Sequence, residues 1–161
     1  MGASGTFVAV VLGLVVLLFL AGRVGLLKGS APQLGVRDGR LKPPARTPNS
    51  VSSQAGLYPD APQRAYAAID PLPVRGDGAA SLERLRSIVA GMPGATLVDT
   101  KPDYLYAQFM SPGLRFVDDT EFWFSPGERL IHVRSSSRIG RRDFGVNRKR
   151  VESIRDAYLR P

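Results

Sequence analysis

The chain of 161 residues contains no cysteine and a single histidine. The absence of cysteine excludes disulfides, thiolate metal sites and a cysteine nucleophile. His132 has no second histidine or cysteine to complete a zinc site, and nothing beside it marks a catalytic histidine. The serines lack the G-x-S-x-G pattern of a nucleophile elbow. Chemistry therefore has to be sought among the carboxylates, arginines and serines.

Charge is absent from the first 22 residues. Residues 6–22 are almost entirely apolar, Arg23 interrupts the run, and Lys28 ends it. With Arg23 reaching toward the headgroups, such a run is long enough to cross a membrane. We predict that residues 1–28 form a single-pass anchor and that residues 6–27 contact lipid. A cleaved signal peptide is the alternative, but no Lys or Arg precedes the run and no small-x-small site follows it.

Positive charge lies after the apolar run, at Arg23, Lys28, Arg37, Arg40 and Lys42. The positive-inside rule then predicts that the C-terminal domain is cytoplasmic. The net charge of +8, from 22 basic and 14 acidic residues, favours anionic partners such as lipid headgroups or acidic protein faces. Nucleic acid is disfavoured because no row of aromatic residues interleaves the arginines.

The remaining chain divides into a linker and one domain. Prolines in residues 29–46 predict a partly extended tether, and residues 47–161 form the domain. Asn and Ser side chains favour tight turns in residues 47–54, which we expect to pack on the domain. Apolar periodicity predicts an α+β fold: a small antiparallel sheet with two helices packed on one face, behind one N-terminal transmembrane helix. The predicted helices are 81–92 and 146–159, with Ser81 and Asn147 as candidate caps, and the strands are 95–99, 104–110, 116–124 and 129–137.

A hairpin turn centred on Pro126 and Gly127 would fix the pairing of the last two strands. It places Asp119 opposite Arg134 and Glu121 opposite His132, as surface pairs. Asp118 instead falls opposite Ser135 on the core side, where an unpaired carboxylate is costly. We therefore predict that Asp118 is bound by the 140–145 loop and its neighbours. The candidate donors are Ser135, Ser137, Arg138, Asn147, Arg148 and the backbone amides of that loop.

Arginines cluster where the last helix begins, and backbone amides at a helix N-terminus favour anions. Arginines there oppose the helix dipole, so Asp143, Asp118 or an external anion has to compensate. Asp118 and Asp119 point to opposite faces, which argues against a shared metal, and we expect neither metal nor cofactor. Catalytic residues are not identified. The candidate ligand-binding residues are Asp118, Ser135, Ser137, Arg138, Asp143, Asn147 and Arg148.

Five segments together resemble a family of uncharacterised bacterial and plastid proteins known only as a domain of unknown function. They are PNSVSSQ from Pro48, FVDDTEF from Phe116, RSSSRIG from Arg134, DFGVNRKR from Asp143 and VESIR from Val151. The resemblance covers about residues 47–160. It implies one domain and, for many members, a membrane-associated or exported setting, but no reaction. Members often carry cysteine where this chain has Ser50, so a thiol role there is absent.

Two functions from different classes remain. The leading hypothesis is a binding or assembly module held at the membrane, such as an accessory subunit of a membrane complex. The alternative is an enzyme or binding protein for an anionic small molecule, using Asp118 or Asp119 with Arg138 and Arg148. Polar groups that converge on an open pocket would favour the ligand hypothesis. Polar groups that satisfy one another would favour a structural role.

Overall fold

A computed structural model describes residues 2–161. In that part, four α-helices accompany one antiparallel sheet of six strands, which confirms the α+β class. The helices are α1 (Ala3–Arg23), α2 (Arg64–Ala67), α3 (Gly78–Ala90) and α4 (Val146–Leu159). The strands are β1 (Ser50–Ser52), β2 (Leu72–Pro73), β3 (Ala95–Lys101), β4 (Tyr104–Met110), β5 (Val117–Ser125) and β6 (Leu130–Ser137). A 3-10 turn occupies Ala55–Leu57.

Helix α1 is apolar and almost uncovered by the rest of the chain. Its Ser4–Arg23 stretch has a mean hydropathy of 2.6, is long and apolar enough to cross a membrane, and is 6% buried. The helix meets the domain at its C-terminal end. A Cβ added at Gly22 would lie 2.4 Å from the backbone oxygen of Leu114, so this close approach requires glycine.

Strand β6 lies inside the sheet, whose order is β1-β6-β5-β4-β3. Both short strands, β1 and β2, pair with the free side of β6 at opposite ends. Neither was predicted as a strand. The expected packing of residues 47–54 on the domain is confirmed, because all three residues of β1 are buried. These short strands satisfy backbone groups of β6 that would otherwise form an open edge.

The main core lies between one sheet face and the two long helices of the domain. Leu82, Leu85 and Val89 of α3 pack together with Val151, Ile154 and Tyr158 of α4. The sheet contributes Leu105, Phe109, Phe122, Ile131 and Val133. Every one of these side chains is at most 4% exposed. The apolar side chains along one face of α3 and α4 and those on one face of the strands therefore form a single core layer.

Both predicted helix caps are wrong. Helix α3 begins earlier than expected because Asp77 accepts a hydrogen bond from the Ala80 amide at 2.7 Å, as an N-cap does. Ser81 lies inside the helix, where its hydroxyl donates to the Arg75 carbonyl at 3.1 Å. Helix α4 begins where predicted, but Gly145 occupies its N-cap position and Asp143 supplies the capping carboxylate.

The second sheet face is covered by residues 30–45, which we call the cover segment. Its Leu34, Val36 and Leu41 pack on Tyr104, Tyr106 and Trp123. The partly extended tether that its prolines predicted is therefore wrong, because this segment packs on the sheet. Burial of a leucine side chain stabilises by about 1.5–3 kcal/mol, and an extended tether would forgo that gain. The few apolar residues among the prolines therefore decide its placement.

The β5–β6 register differs from the prediction by two residues. Asp118 opposes Ser137, Asp119 opposes Ser136 and Glu121 opposes Arg134. The strands are joined by residues 126–129, with Arg129 at φ +53°, so the loop is centred one residue later than expected. This register opposes Phe122 with Val133 in the core, and Trp123 with His132, whose ring it stacks on. A shift of two residues leaves every side chain on its predicted face.

Candidate functional site

Asn147 joins three parts of the chain on the helix-covered face. It is fully buried in the first turn of α4. Its side-chain oxygen accepts from the Ser135 hydroxyl at 2.6 Å and from Arg150 Nη1 at 2.8 Å. Its amide nitrogen donates to the Ser137 hydroxyl at 3.0 Å, to Asp143 Oδ2 at 2.9 Å and to the Asn49 carbonyl at 3.2 Å. One side chain thus links β6, the loop before α4 and the residue preceding β1.

Asp143 organises the start of α4. Its Oδ2 accepts from the backbone amide of Asn147 at 3.1 Å. Its Oδ1 accepts from the backbone amide of Gly145 at 3.1 Å and from the Tyr66 hydroxyl at 2.6 Å. Burial acts to raise the pKa of Asp143, but the hydrogen bonds from Tyr66, Asn147 and Gly145 outweigh it and lower that pKa. The carboxylate therefore offsets, from within the chain, the positive end of the helix dipole and the arginines beside it.

Asp118 is not held by the 140–145 loop, and that prediction is wrong. Its Oδ2 accepts from Arg150 Nη2 at 2.6 Å, and both side chains are largely buried. The guanidinium of Arg150 also lies 4.6 Å from the ring centroid of Phe109. Arg150 was not among the candidate donors, which ended at Arg148 on the same helix. Its α4 position nevertheless brings it over Asp118 of β5.

The opposite sheet face carries a second charged network. Arg138 grips Asp119 through two hydrogen bonds, from Nε at 2.9 Å and from Nη2 at 2.8 Å. The Tyr106 hydroxyl donates to the same carboxylate at 2.5 Å and accepts from Gln108 at 2.9 Å. The hydrogen bonds with Asp119 raise the pKa of Arg138. The expected surface pair between Asp119 and Arg134 is therefore absent, and a buried bidentate pair with Arg138 takes its place.

Glu121 and Arg134 lie buried beneath the cover segment. Glu121 is 0% exposed, and its Oε1 accepts from the Tyr104 hydroxyl at 2.7 Å and from the Gly35 amide at 2.9 Å. Its Oε2 has no hydrogen-bond partner within residues 2–161 and lies 3.7 Å from Arg134 Nη1. Burial raises the pKa of Glu121. The expected pair with His132 does not form, since His132 contacts Glu128 and Ser53 instead.

The structure divides the seven predicted site residues between three places. Asp118, Ser135, Ser137, Asp143 and Asn147 share the helix-covered face, in the networks of Asn147 and Arg150. Arg138 belongs to the opposite face with Asp119. Arg148 belongs to neither network and donates to the Tyr66 carbonyl. Sequence reasoning missed Glu121 and Arg134 as buried groups; the alternation of β5 and β6 was the available signal, but the cover segment was not foreseen.

A small polar cavity of about 180 Å³ opens beside the second network. It lies between the C-terminal end of β6 and the start of the cover segment. Its walls include Ser30, Lys42, Asp119, Arg134, Ser136 and Arg138.

Residues 40–158 match the model of a family described as Protein of unknown function (DUF1499). The chain belongs to this family. The expected resemblance to a domain of unknown function is thereby confirmed, and the family match includes both charged networks and the last six residues of the cover segment. No curated protein and no solved structure matches the chain. The family assigns no reaction, so function has to be argued from the geometry.

Proposed function

We propose that this protein is a membrane-anchored binding or assembly module, an accessory subunit of a membrane complex. The observation that carries the proposal is α1: an apolar helix of membrane-spanning length that the domain leaves uncovered. In water, such a helix would expose large apolar side chains along its whole length, including Leu12, Leu17 and Phe19. A continuous apolar surface of that kind is stable only when lipid or another protein covers it.

The candidate ligand-binding residues predicted from the sequence support a structural role over a catalytic one. Asp118, Ser135, Asp143 and Asn147 bind one another or Arg150 at hydrogen-bonding distances. A catalytic group needs a face directed at substrate, whereas these groups direct their polar atoms at protein. The network fixes α4 to the sheet, so it would hold a binding surface in shape.

Membrane fractionation tests the anchor. The variant Leu14→Arg with Val15→Arg places two charges at the centre of α1, at a cost of about 3 kcal/mol each for insertion. We expect the wild-type chain to remain with carbonate-washed membranes and the variant to be released. The matched control, Ser87→Arg with Ala90→Arg, adds the same charges to exposed positions of α3 and should stay bound. Release of the wild-type chain would contradict the anchor.

Purification from native membranes tests the assembly role. We expect a defined membrane protein to co-purify with the wild-type chain in mild detergent and to be lost from the double-arginine variant. If the chain purifies without a partner but still needs detergent to leave the membrane, the assembly proposal is refuted and the anchor proposal is not affected.

Charge asymmetry around α1 supports a cytoplasmic domain, because Arg23 and Lys28 follow the helix and no basic side chain precedes it. The chain has no cysteine, so Ser87→Cys introduces a single thiol on the exposed face of α3. We expect a membrane-impermeant thiol reagent to label this variant only after cells are permeabilised. Labelling in intact cells would place the domain on the other side.

A further inference from the structure

Arg134 is a buried arginine whose hydrogen-bonding capacity is largely unused. It is 5% exposed, and within residues 2–161 its one side-chain hydrogen bond runs from Nε to the Pro43 carbonyl at 3.3 Å. The separation of 3.7 Å between its Nη1 and Glu121 Oε2 exceeds hydrogen-bonding distance. Buried guanidinium groups normally have their donors satisfied. Its two terminal amino groups are not among the fully buried atoms that lack a partner, so they can donate to solvent or to another acceptor from outside the described chain.

These amino groups belong to a residue that lines the 180 Å³ cavity described above. That volume equals roughly six water molecules at about 30 Å³ each, so it suits a group of a few heavy atoms rather than a whole metabolite. Lys42 adds an exposed ammonium group at the rim. Ser136 adds a hydroxyl whose hydrogen bond to the Ser137 carbonyl is long, at 3.5 Å, so the hydroxyl is readily redirected.

Positive charge exceeds negative charge around the cavity. Lys42, Arg134 and Arg138 line it, and Asp119 is the carboxylate among its walls. Asp119 is already held by Arg138, so that pair is internally balanced. Glu121 is the other carboxylate near Arg134, with its Oε2 3.7 Å from Arg134 Nη1. Three basic side chains against these two carboxylates leave an excess of positive charge, which an anion in the cavity would neutralise.

We propose that this cavity binds a phosphoryl group, from free phosphate, from a phosphate monoester or from the headgroup of an anionic lipid. A tetrahedral oxyanion presents enough acceptor oxygens for the Arg134 fork, the Lys42 ammonium and the Ser136 hydroxyl together. This inference goes beyond the proposed assembly role and stands on the cavity rather than on the anchor.

The position of the cavity admits either source. Ser30 lies in its wall and follows the last residue of α1, Arg23, by only seven positions. Seven residues span at most about 25 Å when extended, so the cavity remains near the membrane surface if α1 spans the bilayer. A lipid phosphate and a soluble phosphate are thus both within reach, and the experiment has to separate them.

The first experiment measures inorganic phosphate binding to the full chain in phosphatidylcholine nanodiscs, by calorimetry at constant ionic strength. We expect saturable binding that chloride does not reproduce. Lys42→Gln should weaken it about five- to tenfold, since one charge-assisted contact is lost. Arg46→Gln is the matched control because it removes the same charge from an exposed position of the chain outside the cavity, and it should change affinity less than about twofold.

Arg134→Lys keeps the charge but removes the planar fork, and we expect at least about a tenfold loss. Its thermal unfolding midpoint shows whether the domain remains folded; Lys42→Gln keeps the proposal testable if it does not. No saturable binding in the wild type, or equal losses for Lys42→Gln and Arg46→Gln, would mean general electrostatic attraction and overturn the site.

The second experiment identifies the source by repeating the titration in nanodiscs containing about one-fifth phosphatidylglycerol. If the lipid headgroup occupies the cavity, phosphate binding should weaken in these discs, and native mass spectrometry should find phosphatidylglycerol retained by the wild type but not by Lys42→Gln. If soluble phosphate is the ligand, the wild type should not retain phosphatidylglycerol, and Lys42→Gln should weaken phosphate binding by the same factor in both disc compositions. If the anchor proposal fails, the chain will not enter the discs, but the same titration in detergent should still give a larger loss for Lys42→Gln than for Arg46→Gln.

Discussion

Replacing Asn147 with alanine removes the side chain that ties β6, the α4 loop and the residue before β1 together. Five hydrogen bonds disappear, three from the amide group and two to its oxygen. Because three donations share one amide group, we count about four effective bonds at roughly 1 kcal/mol each, and buried partners are left unpaired. The expected loss is about 3–5 kcal/mol, a large share of the 5–15 kcal/mol typical of a folded domain.

The assay is urea unfolding of the full chain in micelles, followed by the fluorescence of Trp123, the single tryptophan. With an m-value of about 2 kcal/mol/M, the midpoint should fall by roughly 2 M. Asn49→Ala is the matched control: Asn49 is 5% exposed, and within residues 2–161 its side chain makes one hydrogen bond, to the Gly140 carbonyl at 2.8 Å. It should lower the midpoint by about 0.5 M. Equal shifts for the two variants would refute the central role of Asn147.

Three further outcomes follow from single positions. Hydrogen bonds lower the pKa of Asp143 in the folded state, so this carboxylate stabilises the fold above its unfolded pKa of about 3.9 and stops doing so as the pH falls below it. Asp143→Asn should therefore reduce the loss of unfolding free energy at acid pH. Because the pKa of Glu121 is raised, the wild type should gain stability relative to Glu121→Gln as the pH falls from neutral through that pKa; parallel curves would contradict this. Gly94→Ala should cost well over 2 kcal/mol in urea unfolding, since φ is +74° and its Cβ would lie 2.3 Å from the Met110 oxygen, whereas Gly113→Ala, at φ +73° with open space, should cost only about 1 kcal/mol.

Local patterns in the sequence predicted most of the fold. The stripe at Leu82, Leu85 and Val89 and the alternation of β3 to β6 carry enough periodicity to identify α3, the four long strands and their faces. The start of α3 was missed because Asp77 and Ser81 are both good caps, and only the tertiary position of Ser81 decides between them. Short β1 and β2 have too few residues to show any period.

Five of the seven candidate site residues lie together, as the sequence predicted, although Arg150 and Tyr66, which bind them, were not predicted. The residues around Asn147 were correctly brought together because alternation keeps Ser135 and Ser137 on one face whatever the register. Arg138 was placed with them wrongly, since nothing in the local sequence tells whether a side chain after the end of β6 turns toward Asp118 or Asp119. The cavity at Arg134 was beyond sequence reasoning, because its far wall comes from the cover segment, nearly a hundred residues earlier in the chain.

The cover segment starts so soon after α1 that almost no flexible linker separates the helix from the domain. With α1 in a bilayer, the stretch between Arg23 and the first packed residues is too short to let the domain swing freely into solution. Its orientation to the membrane would be set by protein contacts such as that of Gly22 with Leu114. The cover segment that follows the helix contacts the strand pair through the Gly35 amide on Glu121 and the Pro43 carbonyl on Arg134, so a displacement of the helix would be transmitted to those two buried charges.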